Sequence, residues 1–219
     1  MSRRDRAGQR RRPRHRLVIA GGVAALAGLL AFGLVPHGGS PSAATDPAAT
    51  AVAAGSVPVL APRTAQAAGQ VIDGIASSEA EQLAFHVHAH LQVYVDGQQR
   101  AVPYGIGVVP PLELQQTVNG PFVVGGAGFY WLHTHDASGV IHIESPVERR
   151  YTLGEFFDLW GQPLGPEQAG PAHGPVTALV NRIVVGGNPR DISLGAHDVI
   201  QLDVGAVVPF RPYVFPAGL

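Results

Sequence analysis

The chain has 219 residues, of which 46% are hydrophobic, so its length and apolar content suit one domain with a buried core rather than two. It contains no cysteine and a single methionine, Met1, which excludes disulfides and sulfur ligands and leaves nitrogen and oxygen donors for any metal. The formal net charge is −1, but from Pro36 onward seven arginines face fifteen acids, a balance of 7 − 15 = −8, which argues against nucleic acid as a partner.

The first 35 residues form two contrasting segments. Eight of the fifteen arginines lie in a basic tail, residues 1–16, and residues 17–35 carry no charge. At about 1.5 Å per helical residue, the uncharged stretch is about 28 Å long, close to the hydrocarbon thickness of a bilayer. Arginines in front of such a span orient the N-terminus toward the cytoplasm. We therefore expect a single-pass transmembrane anchor in a bacterial cell membrane, with the C-terminal domain outside. A signal sequence, cleaved to release a secreted protein, is the alternative.

The following segment, residues 36–70, consists mainly of Ala, Gly, Pro, Ser and Thr, with almost no charged or aromatic residues. Such a composition cannot offset the entropy lost on ordering, so the sequence predicts a disordered linker. The linker would have a reach of roughly 30–35 Å. The pattern changes at about residue 71, and we expect one domain over residues 71–219.

Alternation of apolar and polar residues marks the strands of this domain. The sequence FHVHAHLQVYVDG, residues 85–97, alternates in this way and ends in Asp96-Gly97, a pair typical of a type I′ hairpin. The segments ALVNRIVVGG and HDVIQLDVG predict two further strands.

One helix is predicted in TLGEFFDLWG, where Thr152 and Glu155 form a capping box and Gly161 ends the helical pattern. The predicted fold class is therefore mainly β, a β-rich α+β domain. It would be built as an antiparallel sheet or sandwich with one short helix.

The segment WLHTHDASGVIHIES, residues 131–145, predicts a hairpin with histidines on both strands. If DASG forms the loop, directly opposed residues point to the same side of the sheet, and so do residues two apart on one strand. His133, His135, His142 and Glu144 should then share one face, close enough to reach one ion. The expected opposed pairs are His135 with Val140, His133 with His142, and Trp131 with Glu144.

A second histidine series lies on the polar side of the predicted first strand, at alternate positions of HVHAH. The pattern does not show whether this strand lies beside the hairpin, but a common face would bring both series together. Glu144 could be a ligand or could orient a ligand imidazole. With no cysteine in the chain, Zn(II), Cu(II), Ni(II) and Fe(II) remain as candidates, and Zn(II) or Cu(II) is the favoured divalent cofactor. The candidate metal ligands are His133, His135, His142, His86, His88, His90 and Glu144.

Three motifs carry a resemblance to known proteins: HVHAHLQVYVDGQ, LHTHDASGVIHIESPVERRYTLGEFFDLWG and HDVIQLDVG. Over about residues 84–219 the chain resembles a group of uncharacterised bacterial and archaeal extracytoplasmic His-rich domains with an HxHxH strand, an LHTHD..GxIHxESP hairpin and a TLGxFFxxWG helix. The resemblance implies a membrane-anchored or secreted module with a metal-binding face. Relatives often carry cysteines after the helix, whereas this chain has GPEQAGPAHGPV, so thiol chemistry is excluded here.

These patterns favour an extracytoplasmic metal-binding protein of the bacterial envelope, which holds Zn(II) or Cu(II) for binding, sensing or transfer. The expected partners are the metal ion and, through the N-terminal helix, the membrane. A metal-dependent hydrolase or hydratase-like enzyme, with Glu144 as general base, is one alternative. A metal-free interaction module is another. The sequence leaves open whether there is catalysis.

Overall fold

A computed structural model describes residues 57–219. The predicted basic tail (1–16), the predicted anchor or signal sequence (17–35) and most of the predicted linker (36–56) lie outside the described residues. Within the described part, no helix combines the length and the apolar content needed to cross a bilayer. The predictions for the N-terminal segments therefore stay predictions.

The described residues form a mainly β structure with one α-helix, as the alternating pattern predicts. The helix α1 spans Leu153–Trp160, and a short 3-10 helix spans Pro189–Asp191. The strands are β1 (Ser77–Ser78), β2 (Phe85–Val95), β3 (Gln98–Arg100), β4 (Val108–Val109), β5 (Glu113–Thr117), β6 (Gly120–Gly125), β7 (Gly128–Tyr130), β8 (Leu132–His133), β9 (Val140–Ser145), β10 (Leu164–Gly165), β11 (Gln168–Ala169), β12 (Ala172–His173), β13 (Val176–Val180), β14 (Ile183–Val185) and β15 (Val199–Val204).

Seven strands form the main sheet, in the order β14-β13-β15-β2-β9-β8, with β3 also paired to β2. All of its pairs are antiparallel except β15 with β2, which run parallel. The main sheet is therefore mixed rather than purely antiparallel. The other strands form two three-stranded sheets, β1-β7-β4 and β10-β11-β12, and the pair β5-β6.

Two tight hairpins belong to the main sheet, and the sequence predicted only one of them. Asp96 and Gly97, with φ of 48° and 78°, connect β2 to β3, which confirms the predicted turn. ALVNRIVVGG is not one strand, as predicted, but the hairpin of β13 and β14. Its loop residues Asn181 and Arg182 have φ of 50° and 77°. Because a positive φ is uncommon for arginine, the composition of the segment did not indicate a turn there.

The apolar face of the main sheet packs against α1 and supplies the hydrophobic core. The helix begins as predicted, with the Thr152 side chain accepting from the Glu155 backbone N–H at 3.3 Å and the Thr152 N–H donating to Glu155 Oε2 at 2.8 Å. Gly161, with a φ of 70°, ends it. The fully buried side chains of this core include Leu91, Val93, Ile141, Ile143, Leu202, Phe156, Phe157 and Trp160.

Residues 57–70, which the sequence assigns to the linker, pack against the core of the domain. Leu60 and Ala67 are buried in it. The Trp160 indole N–H donates to the Pro62 carbonyl at 3.1 Å, and the Thr64 hydroxyl donates to the Trp160 carbonyl at 2.8 Å. A few apolar anchors and long-range hydrogen bonds thus order a segment whose composition resembles a linker.

The polar face of the main sheet is partly covered by the C-terminal segment, residues 205–219. Asp203 and Gln201 on β15 are fully buried although they are polar. The backbone N–H groups of Arg211 and Val208 donate to Gln201 Oε1 at 2.9 Å and to Asp203 Oδ2 at 3.4 Å. These bonds satisfy buried polar groups, so the polar face lies inside the domain over much of its extent.

Gly139 allows β9 to approach β2 at the start of their pairing. Its φ is +92°, and a Cβ there would lie 2.2 Å from the carbonyl oxygen of Leu91. We expect Gly139→Ala to lower the free energy of unfolding by at least about 2 kcal/mol, because it adds backbone strain to a steric clash. Urea unfolding at pH 7 measures the change. Gly186→Ala is the matched control, since a Cβ there meets nothing within 4 Å. Equal losses in the two variants would contradict the expectation.

Candidate metal centre

The strand register aligns histidines across three adjacent strands of the main sheet. His88 on β2 pairs with His142 on β9, and His142 pairs with His133 on β8. The predicted opposition of His133 and His142 is therefore confirmed. The structure also answers what the spacing left open, because β2 lies directly beside the predicted hairpin. Glu144 pairs with His86 on β2.

The turn of the predicted hairpin differs from the expectation. β8 ends at His133, and the chain then leaves the main sheet. The Thr134 N–H donates to the Ile106 carbonyl at 3.0 Å, and the Val123 N–H donates to the His135 carbonyl at 2.8 Å. His135 is therefore not paired with Val140, as a two- or four-residue loop would require. Its ring nonetheless returns to the same place, and its Nε2 lies 3.1 Å from His133 Nε2.

Four of the side chains form what we call the outer set: His86, His88, His142 and Glu144. His86 Nε2 lies 3.1 Å from His88 Nε2 and 3.1 Å from Glu144 Oε1. His142 Nδ1 also lies 3.1 Å from His88 Nε2 and 3.1 Å from Glu144 Oε1. Ligands at about 2.0–2.1 Å from a tetrahedral ion are about 3.3 Å apart, so the spacing of these four atoms suits a single cation.

Hydrogen bonds alone cannot account for all four close contacts between the polar atoms of the outer set. A neutral imidazole nitrogen carries either a proton or a lone pair, so each can donate once or accept once. If His86 and His142 both donate to Glu144, neither has a lone pair left for a proton on His88. If His88 donates to one of them, that ring no longer donates to Glu144. Hence at most two of the four close contacts are hydrogen bonds, whereas a cation at the centre would satisfy all four donors.

The second group, which we call the inner set, consists of His133, His135, His142 and Glu144. His133 Nδ1 donates to the Tyr130 carbonyl at 2.9 Å, and His135 Nδ1 donates to the Val123 carbonyl at 2.6 Å. These bonds place a proton on Nδ1 of both rings, so that in the neutral form Nε2 is the unprotonated nitrogen. Each Nε2 then carries a lone pair, and the two lone pairs face each other over 3.1 Å. Two such lone pairs repel each other unless a proton or a metal ion lies between the two nitrogens.

Glu144 adds a buried carboxylate to both sets. Its side chain is 3% exposed, and Oε2 has no hydrogen-bond partner within residues 57–219. That oxygen lies 3.9 Å from His133 Nε2. A buried and unpartnered carboxylate oxygen is costly, because its lost hydration is not replaced. Glu144 therefore lies where its carboxylate could bind a metal ion.

Burial keeps three imidazoles of the site neutral. Desolvation lowers the pKa of His133 to about 3, with the neighbouring His142 and His135 adding to the effect. Desolvation, followed by the influence of His135, lowers the pKa of His142 to about 2. Desolvation and the nearby His86 lower the pKa of His88 to about 4. At neutral pH these three rings are thus neutral, which is the form that binds metals.

Glu81, in the segment before β2, is a member of the site that the sequence did not indicate. Its Oε1 lies 3.3 Å from His135 Nε2 and 3.9 Å from His133 Nε2. Burial, followed by the charge of Glu144, raises the pKa of Glu81. Glu81 belongs to no alternating pattern and lies 63 positions before Glu144 in the chain. Only the tertiary structure shows that it faces the inner set.

His90 was predicted as a ligand, and the structure separates it from both sets. It pairs with Val140, whose side chain has no atom that could bind a metal, whereas His88 pairs with His142. His90 Nε2 donates to the Ser138 carbonyl at 2.9 Å, and its ring stacks on Tyr213 at 3.7 Å between centroids. Its ring therefore contacts the C-terminal segment, through Tyr213, and neither of the two sets.

Three further residues, which also carry aromatic or polar side chains, lie outside the two sets. Trp131, expected on the histidine face, packs against the hydrophobic core. Asp136 forms the expected turn, with Oδ1 accepting from the Ser138 N–H at 2.9 Å. His173 lies exposed on β12. The histidines that converge are therefore those whose strands pair with one another, and not every histidine of the domain.

A cavity of about 170 Å³ lies beside the inner set. His135, His142, Phe122 and Tyr213 contribute to its wall. The outer set has a different approach, because the His86 side chain is 37% exposed. Small ions and molecules can thus approach both sets without unfolding the domain.

No family model matches the chain, and none of the curated proteins or solved structures matches it. The resemblance to the His-rich extracytoplasmic domains therefore stays a prediction. The chemistry of this site has to be inferred from its own donors and their surroundings.

Without metal, the lowered pKa values make the stability of the domain depend on pH. In the unfolded chain each imidazole titrates near pH 6.5, whereas the pKa is about 4 for folded His88 and about 3 for folded His133. As the pH falls, the unfolded state takes up protons first. The free energy of unfolding should therefore decrease from about pH 6.5 to pH 4, by up to about 3 kcal/mol for one such ring.

Urea unfolding in EDTA, at a series of pH values, measures this dependence. The exposed variant His173→Gln should keep the same slope of stability against pH, because His173 lies outside both sets. A free energy of unfolding that stays constant from pH 7 to pH 5 would contradict the assignment of these rings as neutral and buried.

Proposed function

We propose that the protein binds a divalent metal ion, Zn(II) or Cu(II), on the histidine face of its main sheet. The observation that carries this proposal is the pair of Nε2 atoms of His133 and His135, 3.1 Å apart. Both rings are held in the Nδ1-protonated form by backbone carbonyls, so two lone pairs point at one another. A metal ion bound by both nitrogens would make this arrangement favourable.

The types of donor support the class of metal. The outer set offers three imidazole nitrogens and one carboxylate oxygen, and the chain has no cysteine. Imidazole suits Zn(II) and Cu(II), whereas the all-oxygen sites of Ca(II) and Mg(II) have a different composition. Copper sites that depend on thiolate are excluded by the sequence.

In this proposal the protein transfers or senses the metal ion, and the ion does not stabilise the fold. The hydrophobic core lies on the other face of the sheet, around α1, and is formed by apolar side chains alone. We therefore expect the domain to fold without metal, in contrast to small zinc domains. Exposed His86 at the rim of the outer set also supports exchange of the ion with solvent, as sensing or transfer would require.

The N-terminal sequence supports a location at the outer face of a bacterial membrane. Arginines in residues 1–16 and the uncharged residues 17–35 favour a single-pass anchor that leaves the metal-binding domain outside. Cleavage after the apolar segment would instead release the same domain. In both cases the protein would meet metal ions of the extracytoplasmic space.

Titration calorimetry of the purified full-length chain with Zn(II) and with Cu(II) tests the proposal. We expect binding of at least one ion, and a loss of affinity of at least about 100-fold in His88→Ala and in His142→Ala, because each removes a direct ligand. The His173→Ala variant is the matched control and should bind like the wild type. Circular dichroism of each variant confirms that the fold is retained.

The variant His90→Gln separates the predicted ligands from those that the structure supports. It should keep the metal affinity of the wild type, because His90 donates to Ser138 and contacts neither set. Wild-type protein that binds neither ion, or binds both no better than His88→Ala does, would contradict the proposed function.

A further inference from the structure

We propose that the centre holds two divalent cations at once, bridged by the Glu144 carboxylate, with Glu81 as a ligand of the inner ion. This inference rests on the proposed function and extends it from one ion to two. The outer ion would be bound by His86, His88, His142 and Glu144 Oε1. The inner ion would be bound by His133, His135, Glu81 and Glu144 Oε2.

The two oxygens of Glu144 face different groups of nitrogens. Oε1 lies 3.1 Å from His86 Nε2 and 3.1 Å from His142 Nδ1. Oε2 instead lies 3.9 Å from His133 Nε2 and has no hydrogen-bond partner in the part of the chain that the structure describes. One carboxylate thus presents one oxygen to each set, as a bridging carboxylate does.

The donors outnumber what a single ion takes. Five histidines and two glutamates converge at this place, whereas Zn(II) in proteins is almost always four-coordinate. The nitrogens also divide into separate groups. His86 and His88 are 3.1 Å apart on one side, and His133 and His135 are 3.1 Å apart on the other. A single ion could engage one of these pairs and would leave the other unsatisfied.

Glu81 completes the inner group. Its Oε1 is within 3.3 Å of His135 Nε2 and 3.9 Å of His133 Nε2, so both lone pairs and the carboxylate surround one point. With Glu144, the inner ion gains two nitrogen and two oxygen donors, and the outer ion has three nitrogens and one oxygen. Two carboxylates also offset part of the charge of two divalent ions. Ions bridged in this way lie about 3.5–4 Å apart in two-metal sites.

The experiment uses the full-length chain and Zn(II) alone as the probe. Metal analysis after gel filtration should give two ions per chain for the wild type and for the control His173→Ala. His133→Ala/His135→Ala and His86→Ala/His88→Ala should each give one ion. Two ions in the wild type and one in each double variant support the proposal.

The double variants remove buried side chains, so a second test uses a more exposed one. Glu81→Gln changes a side chain that is 35% exposed, where we expect the fold to be retained. It should weaken the second Zn(II) at least about 10-fold and leave the first unchanged in calorimetry. An unchanged second affinity would remove Glu81 from the centre and overturn the proposal.

The outcomes separate this inference from the proposed function. One ion per wild-type chain at saturating Zn(II) would overturn the two-ion centre and leave metal binding intact. No ion in the wild type would overturn both. With Cu(II) as a second probe, magnetic coupling between two ions in electron paramagnetic resonance is expected, and an uncoupled signal at full loading would also contradict the bridge.

Discussion

The site depends on one constraint, which is that the ring nitrogens of facing imidazoles are held with their lone pairs toward each other. Backbone carbonyls take the Nδ1 protons of His133 and His135, and strand pairing fixes the positions of the rings. The domain therefore holds nitrogen lone pairs close together, and these lone pairs repel one another when no cation is bound. Burial strengthens this constraint, because desolvation lowers the pKa of His133 and keeps its ring neutral.

The two faces of the main sheet have different tasks. One face forms the hydrophobic core, and the other carries the candidate metal site. Side chains of one parity, such as Leu91 and Ile143, pack with α1 and provide the apolar core. Side chains of the other parity are the candidate metal ligands or are hydrogen-bonded beneath the C-terminal segment, as Gln201 is. A one-residue slip in register would exchange the two faces, so the hydrophobic core also fixes the positions of the ligands. The repulsion within the site is tolerated because the core supplies the stability elsewhere.

Much of this arrangement follows from local sequence patterns, and the remainder depends on tertiary pairing. Period-two alternation gave the mainly β fold and the opposition of His133 and His142, because both depend only on neighbouring strands. The parallel pairing of β15 with β2 joins segments far apart in the chain, which no local pattern encodes. His90 shares the parity of the ligands, but the residue opposite it is Val140, and parity alone does not identify that partner. Glu81 lies in an irregular segment with no periodicity at all. The composition of residues 57–70 predicts a linker, because composition does not reveal that a few apolar side chains, such as Leu60, are buried in the core.

X-ray absorption at the metal edge of the loaded full-length protein tests the central claim most directly, since it reports the ligands around the ion itself. Convergence of imidazoles from three strands predicts a first shell of nitrogen and oxygen atoms at about 2.0–2.1 Å. It also predicts the outer-shell scattering of two to three imidazole rings per ion. A shell of oxygen atoms without imidazole scattering would contradict the account, because the ion would then be bound elsewhere than between the facing rings.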